Sequence, residues 1–527
     1  MTRTSENDTQ TIEFSDSTPP PIEQQSISKY KRFTDYVWPI ERAELAKFLF
    51  ITLLMFCILG IQNLIRAMKD SVINTMIGTE TISFLKFWGV LPAAFLITIL
   101  YVKLVSVMKG ENIFYLVMLS FVGFFFLFAF YLFPNHEMLH LNPETANSLV
   151  ASYPNFKWFI LLLSNWSFSL FYIIAELWPS AIFALLFWQF VNKVTTVSES
   201  RRFYPLFGLF GQTGLFLAGS FLEEIESVTK YFTNALSLTS RYDIVSMQIV
   251  ISIVTILGII GLITFWVLNN KILDIATTET LQFKVKKNEM TLKESFKMIT
   301  ESRYIRLITI LLFCYGVAIN LVEGPWKSEA SKVYTTTTEF TAFIGAYLKY
   351  TGILTIIFVL LGSNIVRKLG WKAAAIITPF MVLITGLAFF MVTNFDPIAT
   401  LMMLSFSFTD PLMLAIVIGA IQNILSKSSK YTLFDSTKEM SYVPLNDQLK
   451  TKGKAAADMI GTKLGKSASA LLQSMIFIII PAATYTSISP FLMVVFVGIC
   501  IIWIWAVIQL SNEYQGACEN KGEETIY

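Results

Sequence analysis

Long apolar runs, separated by short polar segments, make up most of the chain between residues 45 and 511. An α-helix needs about 20 largely apolar residues to cross the hydrocarbon core of a bilayer, and the runs have about this length or more. The pattern predicts an all-α membrane protein with twelve transmembrane helices in two halves of six. The predicted spans are 45–68, 82–105, 112–133, 157–196, 205–222 and 245–268, followed by 306–325, 340–365, 372–393, 400–425, 456–483 and 488–511.

One of these runs has two interpretations. Residues 157–196 are too many for a single perpendicular span, and Pro179 lies in the middle of the run. Because proline removes a backbone hydrogen bond and kinks a helix, the run is either one long kinked helix or two spans. We predict one helix, since the basic loops then alternate correctly between the two sides of the membrane.

Lysine and arginine are distributed unequally between the loops. The predicted loops 134–156, 394–399 and 482–487 contain neither residue, whereas the loops on the other side are basic. Positively charged loops tend to stay on the cytoplasmic side of a membrane. The asymmetry predicts a multi-pass protein with both termini in the cytoplasm.

The segments outside the spans differ from them in composition. Residues 1–44 are rich in Ser, Thr, Pro, Gln and acidic residues, which predicts a disordered cytoplasmic tail. This tail has no early apolar core and is not poor in acids, so it is neither a signal peptide nor an organellar transit peptide. A lysine-rich cytoplasmic connector, 269–305, is predicted to join the halves 45–268 and 306–511, and 512–527 is a second tail.

A short polar pattern occurs once in each predicted half. Residues 61–69 read IQNLIRAMK and residues 317–327 read VAINLVEGPWK; in both, Asn-Leu is followed by a charged residue and then by a lysine. This similarity indicates two related halves. Two six-helix halves of parallel orientation, joined by a cytoplasmic loop, form the major-facilitator architecture, in which substrate binds near the midplane between the halves.

The composition limits the chemistry that is available. Of the 527 residues, 54% are hydrophobic and 15% are charged, and the formal net charge is +3. The only histidines, His136 and His140, lie in a predicted loop and the four cysteines are far apart, so no metal site, cofactor or disulfide framework is expected. Residues 461–467 (GTKLGKS) resemble a P-loop but have three residues, not four, between the glycines. We therefore expect a transporter and not an enzyme.

Charged residues within or near the spans, and one amide beside them, are the candidate site residues. An ionised side chain at bilayer depth is costly unless it is paired, so such residues are treated as functional by default. The candidates are Arg66, Lys86, Glu176, Asn320, Glu323, Lys349, Lys454 and Lys466. Arg66, Lys349 and Lys454 lie near predicted span ends, from which long side chains can also reach the lipid headgroups.

The sign of these charges indicates the class of substrate. Lysines that face a partly desolvated cavity need counter-charges, which an anionic substrate supplies. Glu176 and Glu323 are expected to pair with the lysines until a ligand phosphate competes for them. Aromatic residues beside the charges, such as Trp88 and Tyr172, are candidates for stacking on a base.

Segments that contain these residues resemble the ATP/ADP translocase (nucleotide transporter) family of plastids and obligate intracellular bacteria, in order over about residues 45–510. The matching segments include 84–92 (FLKFWGVLP), 171–178 (FYIIAELW), 203–208 (FYPLFG), 319–323 (INLVE), 422–431 (QNILSKSSKY) and 464–467 (LGKS). By motif match, the family's transport-critical residues fall on Lys86, Glu176, Glu323 and Lys466. Gly324-Pro325 departs from the family pattern and is expected to break the helix after Glu323.

The resemblance implies an ATP/ADP antiporter that exchanges host ATP for bacterial ADP by alternating access, with phosphate as a further candidate substrate. The lysines would bind the phosphates, and Glu176 and Glu323 would pair with the lysines. The short, acidic N-terminal tail, in place of a plastid transit peptide, favours the bacterial inner membrane. We further expect a monomer in the lipid bilayer, with no nucleic acid partner and no cofactor.

Two other functions stay open at this point. The first is another nucleotide programme on the same fold, either proton-coupled net import of nucleoside triphosphates or uptake of a dinucleotide cofactor. The second is a membrane enzyme or flippase that acts on lipid or cell-wall precursors. It predicts acids and histidines clustered near one membrane face, and the sequence contains no such cluster.

Overall fold

The computed structural model describes residues 39–235, 241–273, 292–406, 410–446 and 449–519, which are helical apart from short connections. The long helices, in chain order, are α1 (Leu45–Met76), α2 (Thr81–Val107), α3 (Gly110–Leu132), α4 (Trp166–Val194), α5 (Ser198–Glu223), α6 (Tyr242–Ile272), α7 (Arg303–Val333), α8 (Thr337–Gly362), α9 (Ile365–Asn394), α10 (Pro411–Ser441), α11 (449–479) and α12 (Tyr485–Glu519). Nearly all of the predicted N-terminal tail and much of the connector lie outside the described residues.

Eleven helices among the described residues are long and apolar enough to cross a membrane, in agreement with an all-α membrane protein. Helix α11 is the exception. Its first half contains Lys450, Lys452, Lys454 and Asp458, and its turns alternate between π-helical and α-helical geometry. The count of twelve spans therefore stays a prediction.

The run 157–196 contributes one long span, but it is not one continuous helix. A short helix, Lys157–Ser164, ends at Asn165, whose φ of −107° and ψ of 48° lie outside the helical region, and α4 follows. Pro179 lies within α4 at the start of nine π-helical residues. A local change of helical geometry is a usual response to a proline that cannot donate a backbone hydrogen bond. The break in this run therefore lies at Asn165 and not at Pro179.

Helix α7 is continuous through Gly324 and Pro325, so the predicted break after Glu323 is wrong. Pro325 is buried within the helix, as are Glu323 and Trp326, and tertiary packing of this buried segment offsets the lost backbone hydrogen bond. Gly324 is needed for a different reason. A Cβ added at Gly324 would lie 2.7 Å from the ring of Tyr485, so glycine at this position permits α12 to approach α7 closely.

Four spans continue for several residues beyond their predicted ends. The structure ends α1 at Met76, α7 at Val333, α10 at Ser441 and α12 at Glu519, whereas the sequence predicted 68, 325, 425 and 511. The first part of the predicted C-terminal tail 512–527 therefore belongs to α12, and residues 520–527 lie outside the described residues. The extensions carry charged side chains into the helices, among them the buried Lys69, Asp70, Lys327 and Lys427.

The first six long helices contact the last six at one end of the bundle, which we call the α1–α2 end because the α1–α2 connection lies there. The hydroxyls of Thr75 and Thr337 are 2.9 Å apart, and the backbone N–H of Tyr485 donates to Glu80 Oε1 at 3.3 Å. Gly219 of α5 has no room for a Cβ, because the backbone of α8 lies against it. The two sets of helices are thus joined at this end.

At the opposite end, helices of the same set are linked to each other. Tyr101 donates to Gln189 at 2.5 Å between α2 and α4, and Lys438 pairs with Asp458 at 3.5 Å between α10 and α11. The described residues from Ala46 onward form one compact unit. The division into halves 45–268 and 306–511 therefore stays a prediction.

Candidate functional site

Helix α1 carries Arg66, Lys69 and Asp70 on one face, since residues three and four positions apart are neighbours on a helix surface. Lys69 Nζ donates to Asp70 Oδ1 at 2.7 Å and lies 3.0 Å from Glu176 Oε2 of α4. The same ammonium is 4.0 Å from the ring centroid of Tyr172, within cation–π distance. Lys69 and Asp70 are almost fully buried, so these partners replace the water that each charge has lost.

Helix α7 contributes Asn320, Glu323 and Lys327. Lys327 Nζ lies between two carboxylates, Asp70 Oδ2 of α1 at 2.9 Å and Glu323 Oε1 at 3.0 Å. Lys86 of α2 donates to Asn320 Oδ1 at 2.6 Å and lies 3.4 Å from Glu323 Oε2. Charges from both sets of helices therefore meet at α7.

Three more cations surround this core. Lys427 of α10 lies 3.8 Å from Glu323 Oε1. Arg66 interacts electrostatically with Glu323, and Lys466 of α11 interacts with Glu176. We call the whole set the central cluster, and its members are Arg66, Lys69, Asp70, Lys86, Glu176, Glu323, Lys327, Lys427 and Lys466.

The exposure of the central cluster differs between its two sides. The side chains of Lys69, Asp70 and Lys327, toward the α1–α2 end, are only 4–5% exposed. Glu176 is 34% exposed, and Lys466 is also exposed. The central cluster is therefore more exposed at Glu176 and Lys466, which we call its accessible side, than at the charges toward the α1–α2 end.

The repeated pattern of the sequence corresponds to complementary charges in space. Arg66 and Asp70 of α1 have the same spacing as Glu323 and Lys327 of α7, with the charges reversed. Asp70 and Lys327 form an ion pair at 2.9 Å, and Arg66 and Glu323 are electrostatic neighbours. The equivalent segments of the two predicted halves therefore attract each other.

Most of the predicted site residues lie together. Arg66, Lys86, Glu176, Asn320, Glu323 and Lys466 lie in or against the central cluster. Lys349 instead pairs with Glu223 at 2.7 Å where α5 meets α8, and Lys454 pairs with Glu439 at 2.6 Å between α11 and α10. None of these distances tests contact with a substrate, so the assignment of substrate-binding residues stays a prediction.

Four members of the central cluster were not selected from the sequence: Lys69, Asp70, Lys327 and Lys427. Each lies just beyond the predicted end of its span, at 68, 325 or 425. A usable signal was present for two of them. Counted from the Asn-Leu pairs 63–64 and 320–321, Asp70, one residue beyond the first pattern, and Lys327 occupy equivalent positions and carry opposite charges.

Over residues 23–514 the chain matches a family model described as TLC ATP/ADP transporter. The ADP,ATP carrier protein 4 of Rickettsia felis is 64% identical over 490 residues, which cover 93% of this chain and 96% of that protein. The protein of the same name from Rickettsia bellii is 65% identical over 484 residues, or 92% and 93% of the two chains. The ADP,ATP carrier protein 3 of Rickettsia bellii is 44% identical over 502 residues, or 93% and 99%.

Two solved structures share the fold at low identity. The nucleoside transporter NupG superposes with a TM-score of 0.51 at 11% identity, over 89% of this chain and 99% of that one. A bacterial homologue of the iron transporter ferroportin, in an inward-facing state, superposes with a TM-score of 0.53 at 13% identity, over 90% of this chain and 100% of that one. At such identities the likeness shows the fold alone.

The helical bundle, with a charged cluster where its two sets of helices meet, has a major-facilitator-like membrane fold. The family match covers nearly the whole chain, and the relatives are highly identical. The chain belongs to the TLC ATP/ADP transporter family and is a transporter, not an enzyme.

Proposed function

We propose that this chain is an ATP/ADP antiporter that works by alternating access. Membership of the family and the names of the relatives support ATP and ADP as substrates. The structural observation that carries the proposal is the charge of the central cluster, in which six cations accompany three carboxylates. ADP and ATP carry about three and four negative charges near neutral pH, since a terminal phosphate ionises near pH 6. The excess of three positive charges complements them.

The ion pairs of the central cluster suggest how exchange is coupled. Asp70–Lys327 and Lys86–Glu323 each join one set of helices to the other near the α1–α2 end. Phosphoryl oxygens compete with the carboxylates for these lysines and so weaken the pairs that hold this end closed. A ligand shifts a conformational equilibrium by its differential affinity for the two states. A loaded carrier therefore reorients more easily than a carrier whose pairs are intact.

We place the exchange in the bacterial inner membrane, with both termini cytoplasmic and the protein a monomer. The basic loops on one side support this orientation, and the bacterial origin of the relatives supports the location. In this orientation the α1–α2 end faces the periplasm, and the accessible side of the central cluster faces the cytoplasm. The carrier takes up host ATP and releases bacterial ADP.

The test is counterflow in proteoliposomes. Vesicles preloaded with ADP receive radiolabelled ATP outside, and the experiment is repeated without internal nucleotide, with internal phosphate, and with a proton gradient. Uptake that requires internal ADP and ignores the proton gradient supports the antiporter. Uptake into empty vesicles that rises with the gradient, and that GTP, CTP and UTP share, identifies a net importer of nucleoside triphosphates on the same fold. The phosphate arm decides whether phosphate is a third substrate.

A further inference from the structure

Lys427 is the most buried cation of the central cluster that lacks a hydrogen-bond acceptor. Its side chain is 9% exposed, and its Nζ donates no hydrogen bond to any described residue. Its closest carboxylate oxygen, Glu323 Oε1, is 3.8 Å away. By contrast, Lys69, Lys86 and Lys327 each donate to an acceptor at 2.6–3.0 Å.

The surroundings of Lys427 do not compensate its charge. An ammonium group carries three donors, and leaving a buried charge without acceptors is costly. The Tyr347 ring, 4.8 Å from Nζ, contributes a cation–π attraction but no hydrogen bond. Glu323 already accepts a hydrogen bond from Lys327 at 3.0 Å and lies 3.4 Å from Lys86, so Lys427 is its most distant ion-pair partner. The position requires another anion.

Arg66 increases this requirement. It interacts electrostatically with Lys427, Tyr347 and Lys466. Arg66 belongs to α1 and Lys427 to α10, so the two repelling charges come from different sets of helices. A phosphoryl group between them relieves the repulsion, and guanidinium and ammonium groups are the side chains that bind phosphate most strongly.

Exposure indicates which phosphoryl group reaches this position. Lys427 is 9% exposed and Lys86 is 22% exposed, whereas Lys466 is exposed on the accessible side. Lys69 and Lys327 are more buried, but both already donate to carboxylates. A nucleotide that enters from that side with its phosphates leading therefore brings its terminal phosphoryl group to Lys427, the most buried cation that lacks an acceptor. We propose that Lys427 and Arg66 together bind the terminal phosphoryl group of ADP or ATP and thereby bridge α10 and α1. This assignment rests on the proposed function.

The experiment measures binding to the purified full chain in detergent, by titration calorimetry and by ligand-induced change in melting temperature. The ligands are ATP, ADP, AMP, adenosine and inorganic phosphate. Lys427→Gln and Arg66→Gln are each expected to lower the affinity for ATP and ADP by about 10- to 100-fold, since hydrogen bonds to charged groups are lost. The affinities for AMP and adenosine should change by less than about twofold. Lys427→Arg, which keeps the charge, should retain most of the ADP affinity.

Lys438→Gln is the matched control. Lys438 lies on the same helix and is 12% exposed, but it is paired with Glu439 at 2.9 Å and with Asp458 at 3.5 Å. Its substitution should leave the ratio of ADP to AMP affinity unchanged. A second readout separates binding from structure. Removing the charge of Lys427, which has no hydrogen-bond acceptor, should raise the melting temperature without ligand, whereas removing Lys438 should lower it.

Each remaining outcome is decisive. Lys427→Gln could lower the affinity for ATP, ADP, AMP and adenosine equally and also lower the melting temperature. Lys427 would then have a structural role, and the assignment would be overturned. Weakened binding of inorganic phosphate alone would mean a free-phosphate site and overturn it as well. If the unmodified chain binds no adenine nucleotide, the proposed function itself fails. If it binds ATP normally and Lys427→Gln binds it equally well, only this inference fails.

Discussion

The ion pair between Asp70 and Lys327 links α1 to α7 at the closed end, and its loss should weaken the coupling between uptake and release. In Asp70→Asn, Lys327 keeps Glu323 at 3.0 Å, and Lys69 keeps Glu176 at 3.0 Å. Removing one partner of a buried pair costs about 3–5 kcal/mol, and we take the lower value because both lysines retain a carboxylate. A penalty of about 3 kcal/mol on the closed conformation changes its population relative to the open one by roughly a hundredfold.

The assay is uptake of radiolabelled ATP into proteoliposomes with and without internal ADP. We expect Asp70→Asn to take up ATP into vesicles that contain no ADP, because the unloaded carrier then reorients more readily. The double variant Asp70→Lys, Lys327→Asp restores the pair with reversed polarity and should recover the dependence on internal ADP. Glu223→Gln is the control: it removes the pair with Lys349, which also joins the two sets of helices but lies outside the central cluster.

Two results would refute this reasoning. The first is an Asp70→Asn protein that exchanges at the normal rate and still requires internal ADP, because the pair would then contribute nothing to coupling. The second is a Glu223→Gln protein that loses the ADP requirement to the same extent. That result would assign the effect to general loosening of the contact between the helix sets and not to the central cluster.

Two further predictions concern packing around α7. Gly324→Ala places a Cβ 2.7 Å from the Tyr485 ring, so the free energy of unfolding should fall by about 1–3 kcal/mol. Tyr485→Ala in the same chain should recover part of this loss. An unchanged melting temperature of Gly324→Ala in detergent would show that the ring moves aside at no cost. Trp326→Phe removes the 3.0 Å hydrogen bond to the carbonyl of Ile416 and should cost about 1 kcal/mol in thermal denaturation. A large change in ADP affinity would instead show that the indole acts on the central cluster.

The helical membrane fold was predictable because a bilayer imposes it. No water is present to satisfy backbone groups in the hydrocarbon core, so a chain with many apolar runs of about 20 residues must form helices there. The same constraint makes intramembrane charges rare and conspicuous. Lys86, Glu176, Glu323 and Lys466 were therefore selected from the sequence, and the structure places all four in the central cluster.

The span ends were the weakest part of the sequence prediction, and the missed residues follow from them. An apolar run was ended where charges begin, which excluded Lys69, Asp70, Lys327 and Lys427 from their helices. The structure continues each helix past these residues, and Lys69, Asp70 and Lys327 have close partners of opposite charge there. The prediction that Gly324-Pro325 breaks α7 failed for a related reason, since the residues around Pro325 are buried and their tertiary packing overrides the local preference.

The sequence by itself determined that this chain forms apolar helices, that cations outnumber carboxylates at its intramembrane positions, and that one polar pattern recurs in α1 and α7. Only the tertiary structure decided which charges pair, that Asp70 reaches across to Lys327, and that Lys427 is left without an acceptor. The reason is that a buried charge is stabilised by groups within a few ångströms of it. Those groups come from helices hundreds of residues apart, and no local pattern specifies the distance between them.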